Sequence, residues 1–234
     1  MVRRVGLIIP SSNRMVEQEM VRYFPNDVVP HVTRLRMTGG NRKSIDDLLP
    51  AVDAATAALV DAKCDVVVFH CTANSMSEGT DGEARLLGAM SNAGAPQVAT
   101  TSTAIVSALQ ALRASSIALV TPYSEAVAEH EVHFLNARGV DVPYAKGWNL
   151  GGSDAYCSTP AAVWLERMLA AGNAADALFL SCANVQGIAI IDEVERRLGR
   201  PMITSNQAVI FEALRLIGWT GPQRPPGRVF AMLT

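Results

Sequence analysis

The stretch that decides the fold is Asp65-Val66-Val67-Val68-Phe69-His70-Cys71-Thr72-Ala73-Asn74-Ser75, in which an apolar run ends at a cysteine. A second copy of the pattern lies far downstream, as Asp176-Ala177-Leu178-Phe179-Leu180-Ser181-Cys182-Ala183-Asn184. Each copy indicates a buried strand that carries a cysteine at its C-terminal end and then turns into a loop of small, hydrogen-bonding residues. In open α/β sheets, ligands bind at that end of the strands. The sequence therefore predicts two cysteines at ligand-binding strand ends.

The composition favours a globular α/β protein. The chain has 234 residues, of which 49% are hydrophobic and 18% charged, with a mean hydropathy of +0.18. This apolar balance suits parallel sheets that are buried on both faces. A net charge of −2 with no basic block argues against nucleic acid and anionic membrane surfaces as partners. No apolar run reaches the roughly 18–20 residues that cross a bilayer, so no membrane span is expected.

The four cysteines are Cys64, Cys71, Cys157 and Cys182. The N-terminus has no signal-peptide pattern, so we expect free thiols in a reducing cytoplasm. Neither the cysteines nor the four histidines show metal-ligand spacing, and no metal site is predicted. Cys64 precedes its strand and is assigned to packing, while Cys157 lies in a polar loop and is interpreted as incidental. His70 is interpreted as structural, because strand alternation points it away from the face that Cys71 uses.

The hydrophobic pattern alternates strands and helices along the whole chain. Strands are predicted near residues 5–9, 28–37, 66–69, 97–100, 116–121, 140–145, 177–180 and 201–204. Helices are predicted near residues 15–23, 45–62, 82–93, 104–112, 126–138, 161–171, 190–198 and 208–217. Such alternation implies a parallel α/β fold.

The order of elements repeats, and Cys71 and Cys182 lie just under half the chain apart. A repeat on this scale predicts two similar subdomains related by a pseudo-twofold axis, with both strand ends at the cleft between them. The predicted subdomains are residues 1–113 and 114–208. Residues 209–234 are predicted to form a C-terminal helix and tail that pack back on the first subdomain.

Two loops near the first strands are candidates for function. Residues 10–13 join a strand to a helix, with Ser12 or Asn13 as the N-cap, and the N–H groups and helix dipole there suit a carboxylate or a phosphate. Ordinary helix capping would give the same pattern. Residues 38–41 contain two glycines and form a candidate lid.

Two thiols that face one small molecule allow two kinds of reaction. A thiolate can act as a nucleophile or a base, and the opposing thiol can donate a proton. Moving a proton from one face of a carbon to the other racemises a centre next to a carboxylate. Adding a thiolate to a conjugated double bond, rotating the resulting single bond and eliminating the thiolate converts cis to trans. Both need anion stabilisation, for which the loops after each cysteine, Asn13 and Tyr123 are candidates.

Five motifs together resemble the aspartate/glutamate racemase superfamily, in the branch that holds maleate cis–trans isomerases and arylmalonate decarboxylases. The motifs lie at residues 6–13, 71–75, 120–123, 180–184 and 204–208. The resemblance covers nearly the whole chain. It implies two pseudo-symmetric, Rossmann-like (flavodoxin-like) α/β subdomains with parallel sheets and the active site between them. It also implies catalysis without a cofactor and a homo-oligomer, a dimer or a tetramer.

The resemblance further implies roles for individual residues. Cys71 would be the nucleophile of a maleate isomerase and would form a succinylcysteine-type adduct, while Cys182 would be the opposing thiol that assists proton transfer. The implied substrate-binding residues surround these two thiols. They are Ser12, Asn13, Thr72, Ala73, Tyr123, Ser153, Ala183 and Asn184.

Two departures from the resembled proteins bear on the reaction. The isomerases carry an Asp-Asn pair before the helix that begins near Pro160, whereas the position of that Asn is Ser153 here, followed by Asp154. Residues 181–195 are spaced more like the decarboxylases, yet those have a glycine where this chain has Cys71. A decarboxylase that needs only the equivalent of Cys182 is therefore disfavoured.

The sequence thus predicts a cofactor-independent isomerase of a small dicarboxylate, of the maleate-to-fumarate type. A racemase of aspartate, glutamate or a related α-substituted carboxylate is the first alternative, so the substrate is a small dicarboxylate or an amino acid. An arylmalonate-type decarboxylase is the second alternative. A non-catalytic carboxylate-binding protein of the same fold is the alternative from a different class.

Overall fold

The computed structural model describes residues 2–37, 43–172, 174–222 and 225–233, so the candidate lid at residues 38–41 lies outside the described residues. Strands and helices alternate along them. The strands are Arg3–Pro10 (β1), Val28–Leu35 (β2), Val66–Phe69 (β3), Val98–Thr100 (β4), Ser116–Thr121 (β5), Asp141–Gly147 (β6), Ala177–Leu180 (β7) and Met202–Thr204 (β8). The helices are Val16–Tyr23 (α1), Ile45–Asp61 (α2), Thr72–Met76 (α3), Gly79–Asn92 (α4), Thr101–Ala111 (α5), Glu125–Ala137 (α6), Ser153–Ser158 (α7), Ala161–Ala171 (α8), Ile191–Leu198 (α9) and Ser205–Leu216 (α10). Short 3-10 helices lie at Ile188–Ile190 and Arg228–Met232.

The strands form two parallel four-stranded sheets with the same topology. The first has the order β2-β1-β3-β4 and the second the order β6-β5-β7-β8. In each sheet the strand order reverses beside the first strand, which creates a switch point at the carboxyl ends of β1 and β3 and of β5 and β7. This arrangement confirms the predicted pseudo-symmetric α/β fold with parallel sheets.

Both faces of the central strands are buried, as their continuous apolar sequences predict. In β1, Ile8 packs with α2 and α4 on the outer side of the first sheet, whereas Leu7 and Ile9 face the larger core shared with the second half. Helices α5 and α10 contact each other between the two sheets, and α10 also contacts β3. The C-terminal helix of the chain therefore helps to hold the halves together.

Two short helices differ from the sequence expectations. Helix α3 begins at the residue after Cys71, and α7 forms part of the segment around Cys157 that the sequence indicated as a polar loop. Helices of five or six small polar residues show no amphipathic period, so hydrophobicity cannot reveal them. Helix α1 begins at Val16, later than predicted, but the Asn13 Oδ1 atom still accepts hydrogen bonds from the N–H groups of Met15 and Val16 at 3.0 and 2.9 Å.

In the part of the chain that the structure describes, no helix combines the length and apolar character needed to span a membrane. Nor do the described His, Cys, Asp and Glu side chains form a group of three or more that could ligate a metal ion.

Candidate active site

A cavity of about 120 Å³ opens at the carboxyl ends of β1, β3, β5 and β7. Nine of the ten predicted site residues line it, and the tenth, Cys182, lies just behind its wall. The lining residues are Pro10, Ser12, Asn13, Met37, Cys71, Thr72, Ala73, Asn74, Tyr123, Val127, Ser153, Tyr156, Ala183 and Asn184. The two halves of the chain thus contribute to one pocket, as the repeated strand ends predicted.

Cys71 forms part of the cavity wall at the point where β3 ends and α3 begins. Its side chain is half-buried, and its Sγ atom lies 3.6 Å from Asn74 Oδ1. Burial raises the pKa of the Cys71 thiol to about 11, although a hydrogen bond from the Asn74 backbone N–H opposes this shift. Cys71 is therefore a thiol that a ligand can reach and that is protonated at neutral pH.

Cys182 lies deeper, two residues after the end of β7, and is 4% exposed. Its Sγ atom accepts a hydrogen bond from the Asn184 N–H at 3.3 Å and a second from the Tyr123 hydroxyl. Burial nevertheless raises the pKa of the Cys182 thiol to about 12. Two donors aimed at one sulfur would stabilise a thiolate there, which suits a group that gives up and takes back a proton.

The backbone at Cys182 is strained. Its φ angle is 109°, in the left-handed region that non-glycine residues rarely adopt. Such a conformation costs on the order of 1–3 kcal/mol and persists only where the surrounding contacts enforce it. The strain lies at one of the two predicted catalytic cysteines.

Asn13 and Asn184 join the two halves across the base of the cavity. The Asn13 Nδ2 group donates to the Ala183 carbonyl at 3.0 Å, and the Arg14 N–H donates to Asn184 Oδ1 at 2.8 Å. Asn184 Nδ2 in turn donates to the Ser153 carbonyl at 3.0 Å. Each asparagine amide keeps one N–H that is not used in these contacts and that a carboxylate could accept from.

Ser153 stands beside Ser12 at the mouth of the cavity. The Ser153 hydroxyl donates to Ser12 Oγ at 3.0 Å, and Ser12 donates to the Met37 carbonyl at 3.3 Å. Asp154 points outward instead and forms an ion pair with Arg14 on the rim. Where the resembled isomerases carry an Asp-Asn pair, this chain therefore places the Ser153 hydroxyl at the cavity, and neither a carboxylate nor an amide.

Tyr123 lies in the turn after β5, as Asn13 lies in the turn after β1. Burial raises the pKa of its hydroxyl well above the usual value, so the hydroxyl remains a hydrogen-bond donor at neutral pH. Its ring packs edge-on against Tyr156, with ring centroids 5.6 Å apart. Among the residues described, the cavity lining contains no lysine or arginine, so a bound carboxylate would be held by neutral donors.

Two of the other lining residues, Pro10 and Asn74, belong to motifs that the sequence singled out, but three were missed by the sequence reasoning: Met37, Val127 and Tyr156. They form an apolar part of the wall, and each comes from a segment whose position depends on tertiary packing. None carries a local sequence signal. Of the residues that were given no functional role, Cys64 and His70 are buried in the core, and Cys157 is half-buried within α7.

A family model described as arylmalonate decarboxylase matches residues 5–230. The chain belongs to the arylmalonate decarboxylase family. This confirms the branch to which the five sequence motifs pointed. An arylmalonate decarboxylase from Bordetella bronchiseptica is 29% identical over 231 residues, which cover 97% of this chain and 95% of that protein. A maleate isomerase from Nocardia farcinica is 28% identical over 229 residues, which cover 92% of this chain and 90% of that protein.

A solved structure extends the comparison to a reaction intermediate. It is a cysteine-to-serine mutant of the Nocardia farcinica maleate cis–trans isomerase with a covalently bound succinylcysteine intermediate. It matches with a TM-score of 0.88 at 25% identity and covers 98% of both chains. The proteins that this chain resembles are therefore named for either reaction, isomerisation or decarboxylation.

Proposed function

We propose that this chain is a cofactor-independent cis–trans isomerase of a small dicarboxylate, of the maleate-to-fumarate type. The observation that carries the proposal is the pair of free cysteines, Cys71 and Cys182, at equivalent strand ends beside one cavity. The relatives named maleate isomerase, and the succinylcysteine intermediate of the Nocardia farcinica enzyme, support the same chemistry.

Cys71 is the nucleophile because it lines the cavity, whereas Cys182 lies behind the wall. The Cys71 thiol releases its proton to water and takes one back when the carbon–sulfur bond later breaks. Its sulfur bonds to one alkene carbon, and the electron pair of the double bond moves toward the carboxylate on the other carbon. Cys182 donates a proton to that carbon and leaves a saturated adduct that can rotate. The Cys182 thiolate then removes the proton, the carbon–sulfur bond breaks, and the trans product leaves.

Neutral donors hold the substrate carboxylates. The free amide N–H of Asn13 and the backbone N–H groups of Thr72, Ala73 and Ala183 surround the cavity. The Tyr123 hydroxyl joins them when its single proton turns from Cys182 Sγ to the substrate carboxylate. Negative charge develops on one carboxylate as the sulfur adds, and preorganised donors stabilise that charge most effectively in a site that excludes water. Ser12, Ser153 and Asn184 complete the binding set on the other side.

The proposal is tested by incubating the protein with maleate and following fumarate by proton NMR. Formation of fumarate, lost in the Cys71→Ala variant, is the expected result. No conversion at high enzyme concentration would rule out maleate as a substrate. The same reaction in D2O with aspartate or glutamate tests the racemase alternative, because a racemase must exchange the hydrogen on the α-carbon.

A second candidate function is decarboxylation of an arylmalonate. The family model and the relative from Bordetella bronchiseptica favour it, as does the apolar wall of Met37, Val127 and Tyr156. Protonation by Cys182 alone would suffice for this reaction. The Cys71→Ala variant separates the two functions, since it should abolish isomerisation but spare release of carbon dioxide from phenylmalonate.

We also propose that the protein is cytoplasmic and forms a homodimer or homotetramer. The four free cysteines are compatible with a reducing compartment. The proposed subdomain boundaries remain residues 1–113 and 114–208, with residues 209–234 packing back on the first subdomain. Sedimentation equilibrium would measure the oligomeric state, and a monomer at micromolar concentration would contradict it.

A further inference from the structure

Two consecutive residues at the start of α10, Ser205 and Asn206, lie between the two cysteine-bearing strand ends. Both side chains are buried, at 0% and 2% exposure. Neither lines the cavity. Their contacts nevertheless reach the neighbours of both cysteines, so they are placed to act on the thiols indirectly.

Ser205 bridges the residue after Cys71 to Cys182 itself. The Thr72 hydroxyl donates to Ser205 Oγ at 2.9 Å, and the Cys182 N–H donates to the same oxygen at 3.1 Å. The second bond anchors the amide of the residue that has the strained φ angle. One hydroxyl oxygen therefore links the two strand ends across the halves of the chain.

Asn206 makes the complementary bridge, from the residue before Cys71 to the residue after Cys182. Its Oδ1 atom lies 2.8 Å from His70 Nε2, and its Nδ2 group donates to the Ala183 carbonyl at 3.2 Å. The same Nδ2 group donates to Glu19, so the amide is fixed with its oxygen toward His70. His70 consequently carries its proton on Nε2 and accepts on Nδ1 from Thr101 at 2.9 Å.

We propose that Ser205 and Asn206 are positioning residues that hold the two thiols in their reactive arrangement and keep the backbone at Cys182 in its strained conformation. The inference rests on the proposed function insofar as the thiols carry the reaction. Neither residue touches the substrate. Both act through Thr72, Cys182, His70 and Ala183.

The chain offers a matched control in the equivalent helix of the first half. Thr100 caps α5 and Thr204 caps α10, each accepting from the backbone N–H three residues on. Ser102 in α5 is as fully buried as Ser205, and its hydroxyl lies within hydrogen-bonding distance of the Thr100 hydroxyl, the Ser75 carbonyl and the Glu83 carboxylate. All of these partners lie in the first half, so Ser102→Ala removes a buried hydroxyl without cutting a link between halves.

The experiment compares Ser205→Ala, Asn206→Leu and Ser102→Ala with wild type, well below their melting temperatures. Maleate turnover gives kcat and KM, and peptide mass spectrometry gives the rate at which iodoacetamide alkylates Cys182. For Ser205→Ala we expect kcat to fall at least about tenfold while KM changes less than about threefold, because Cys182 moves whereas the carboxylate donors Asn13 and Ala73 have no bond to Ser205. Cys182 should be alkylated faster, since its relaxed backbone no longer buries the sulfur.

Ser102→Ala should lower the melting temperature while leaving kcat and Cys182 alkylation unchanged. If Ser205→Ala behaves in the same way, Ser205 is merely structural and the inference is wrong. A fall in kcat without faster alkylation of Cys182 also contradicts it. Should Asn206→Leu not fold, Ser205→Ala decides. Should the wild type not turn over maleate, the proposed function fails separately, and the alkylation rates alone decide the inference.

Discussion

The two cysteines differ in access, and this difference separates their proposed roles. Cys71 is half-buried in the cavity wall, whereas Cys182 is 4% exposed and accepts hydrogen bonds from Tyr123 and Asn184. A nucleophile must reach the substrate carbon, but a proton donor can act from behind the wall once substrate is bound. At the scale of single residues, the proposed isomerisation therefore depends first on the sulfur of Cys71.

Replacing Cys71 with serine should lower the rate of maleate isomerisation at least about a thousandfold, because a hydroxyl is far less acidic and less nucleophilic than a thiol. The rate of fumarate formation measures the effect, and circular dichroism shows whether the fold is retained. Cys157→Ser is the matched control, since Cys157 is half-buried but outside the cavity lining. Equal losses in the two variants would contradict the assignment of Cys71.

The pH dependence of alkylation tests whether the pKa of the Cys71 thiol is raised. Only the thiolate reacts, so with a pKa of about 11 the rate should rise about tenfold per pH unit from neutral pH to about pH 9. Peptide mass spectrometry after iodoacetamide treatment measures it. Cys64 also has a pKa raised to about 11 but is only 2% exposed, and it should react more slowly at every pH. A plateau for Cys71 below pH 9 would contradict the raised pKa.

At the scale of elements, the turn after β5 depends on a close approach of β6. A Cβ atom added at Gly147, the last residue of β6, would lie 2.8 Å from the Tyr123 carbonyl oxygen and 3.1 Å from the Glu125 nitrogen. Both are backbone atoms that no rotamer change can move. Gly147 therefore sets the position of the turn that carries Tyr123 into the cavity.

Gly147→Ala should destabilise the protein by about 1–3 kcal/mol, because the turn must shift to accept the methyl group. It should also lower kcat/KM for maleate at least about tenfold, since the Tyr123 hydroxyl moves with the turn. Urea unfolding and steady-state kinetics measure the two effects.

The same substitution at Gly88 is the matched control. Gly88 lies inside α4, and a Cβ there would meet open space. Gly88→Ala should raise stability by about 0.5–1 kcal/mol through helix propensity and leave turnover unchanged. If Gly147→Ala were equally harmless, the close approach of β6 would not position Tyr123.

Local patterns predicted the elements well, because a buried strand and its end are local properties of the sequence. Both cysteines lie two residues after the end of a strand, because the apolar runs end there. The wall residues Met37, Val127 and Tyr156 could not be predicted, since their places depend on how separate segments pack. The bridge from Asn206 to His70 spans 136 positions of sequence, and no local signal encodes it.

At the scale of the whole molecule, a buried polar chain joins the two halves. His70 follows β3, Asn206 begins α10, and Glu19 lies on α1 and also accepts from the Ile188 N–H at 3.4 Å. Burial lowers the pKa of His70 to about 4 and raises the pKa of Glu19 to about 7. Both shifts favour the neutral form of the side chain. The contribution of His70 to stability is lost as pH falls, whereas that of Glu19 is lost as pH rises.

The contribution of Glu19 to the pH dependence of stability can be isolated by mutation. Because its folded pKa is raised from 4.5 to about 7, its favourable contribution is present below pH 4.5 and is lost as pH rises through about 7. Glu19→Gln removes the ionisation, so it should raise the free energy of unfolding relative to wild type by up to about 3 kcal/mol above pH 7. Near pH 4.5 the difference should be much smaller. Urea unfolding of both proteins at the two pH values measures the difference in free energy of unfolding. A difference that does not change with pH would contradict the raised pKa of the buried Glu19 carboxyl.

The most direct test of the central claim is to trap the covalent adduct on Cys71. The Cys182→Ser variant is incubated with maleate, digested and analysed by peptide mass spectrometry. The peptide containing Cys71 should gain the mass of one maleic acid molecule, because the thiol adds and water protonates the neighbouring carbon, while the Cys182 thiolate that would remove this proton again is missing. A wild-type protein that converts maleate while this variant carries no adduct on Cys71, or carries it on another cysteine, would contradict the account.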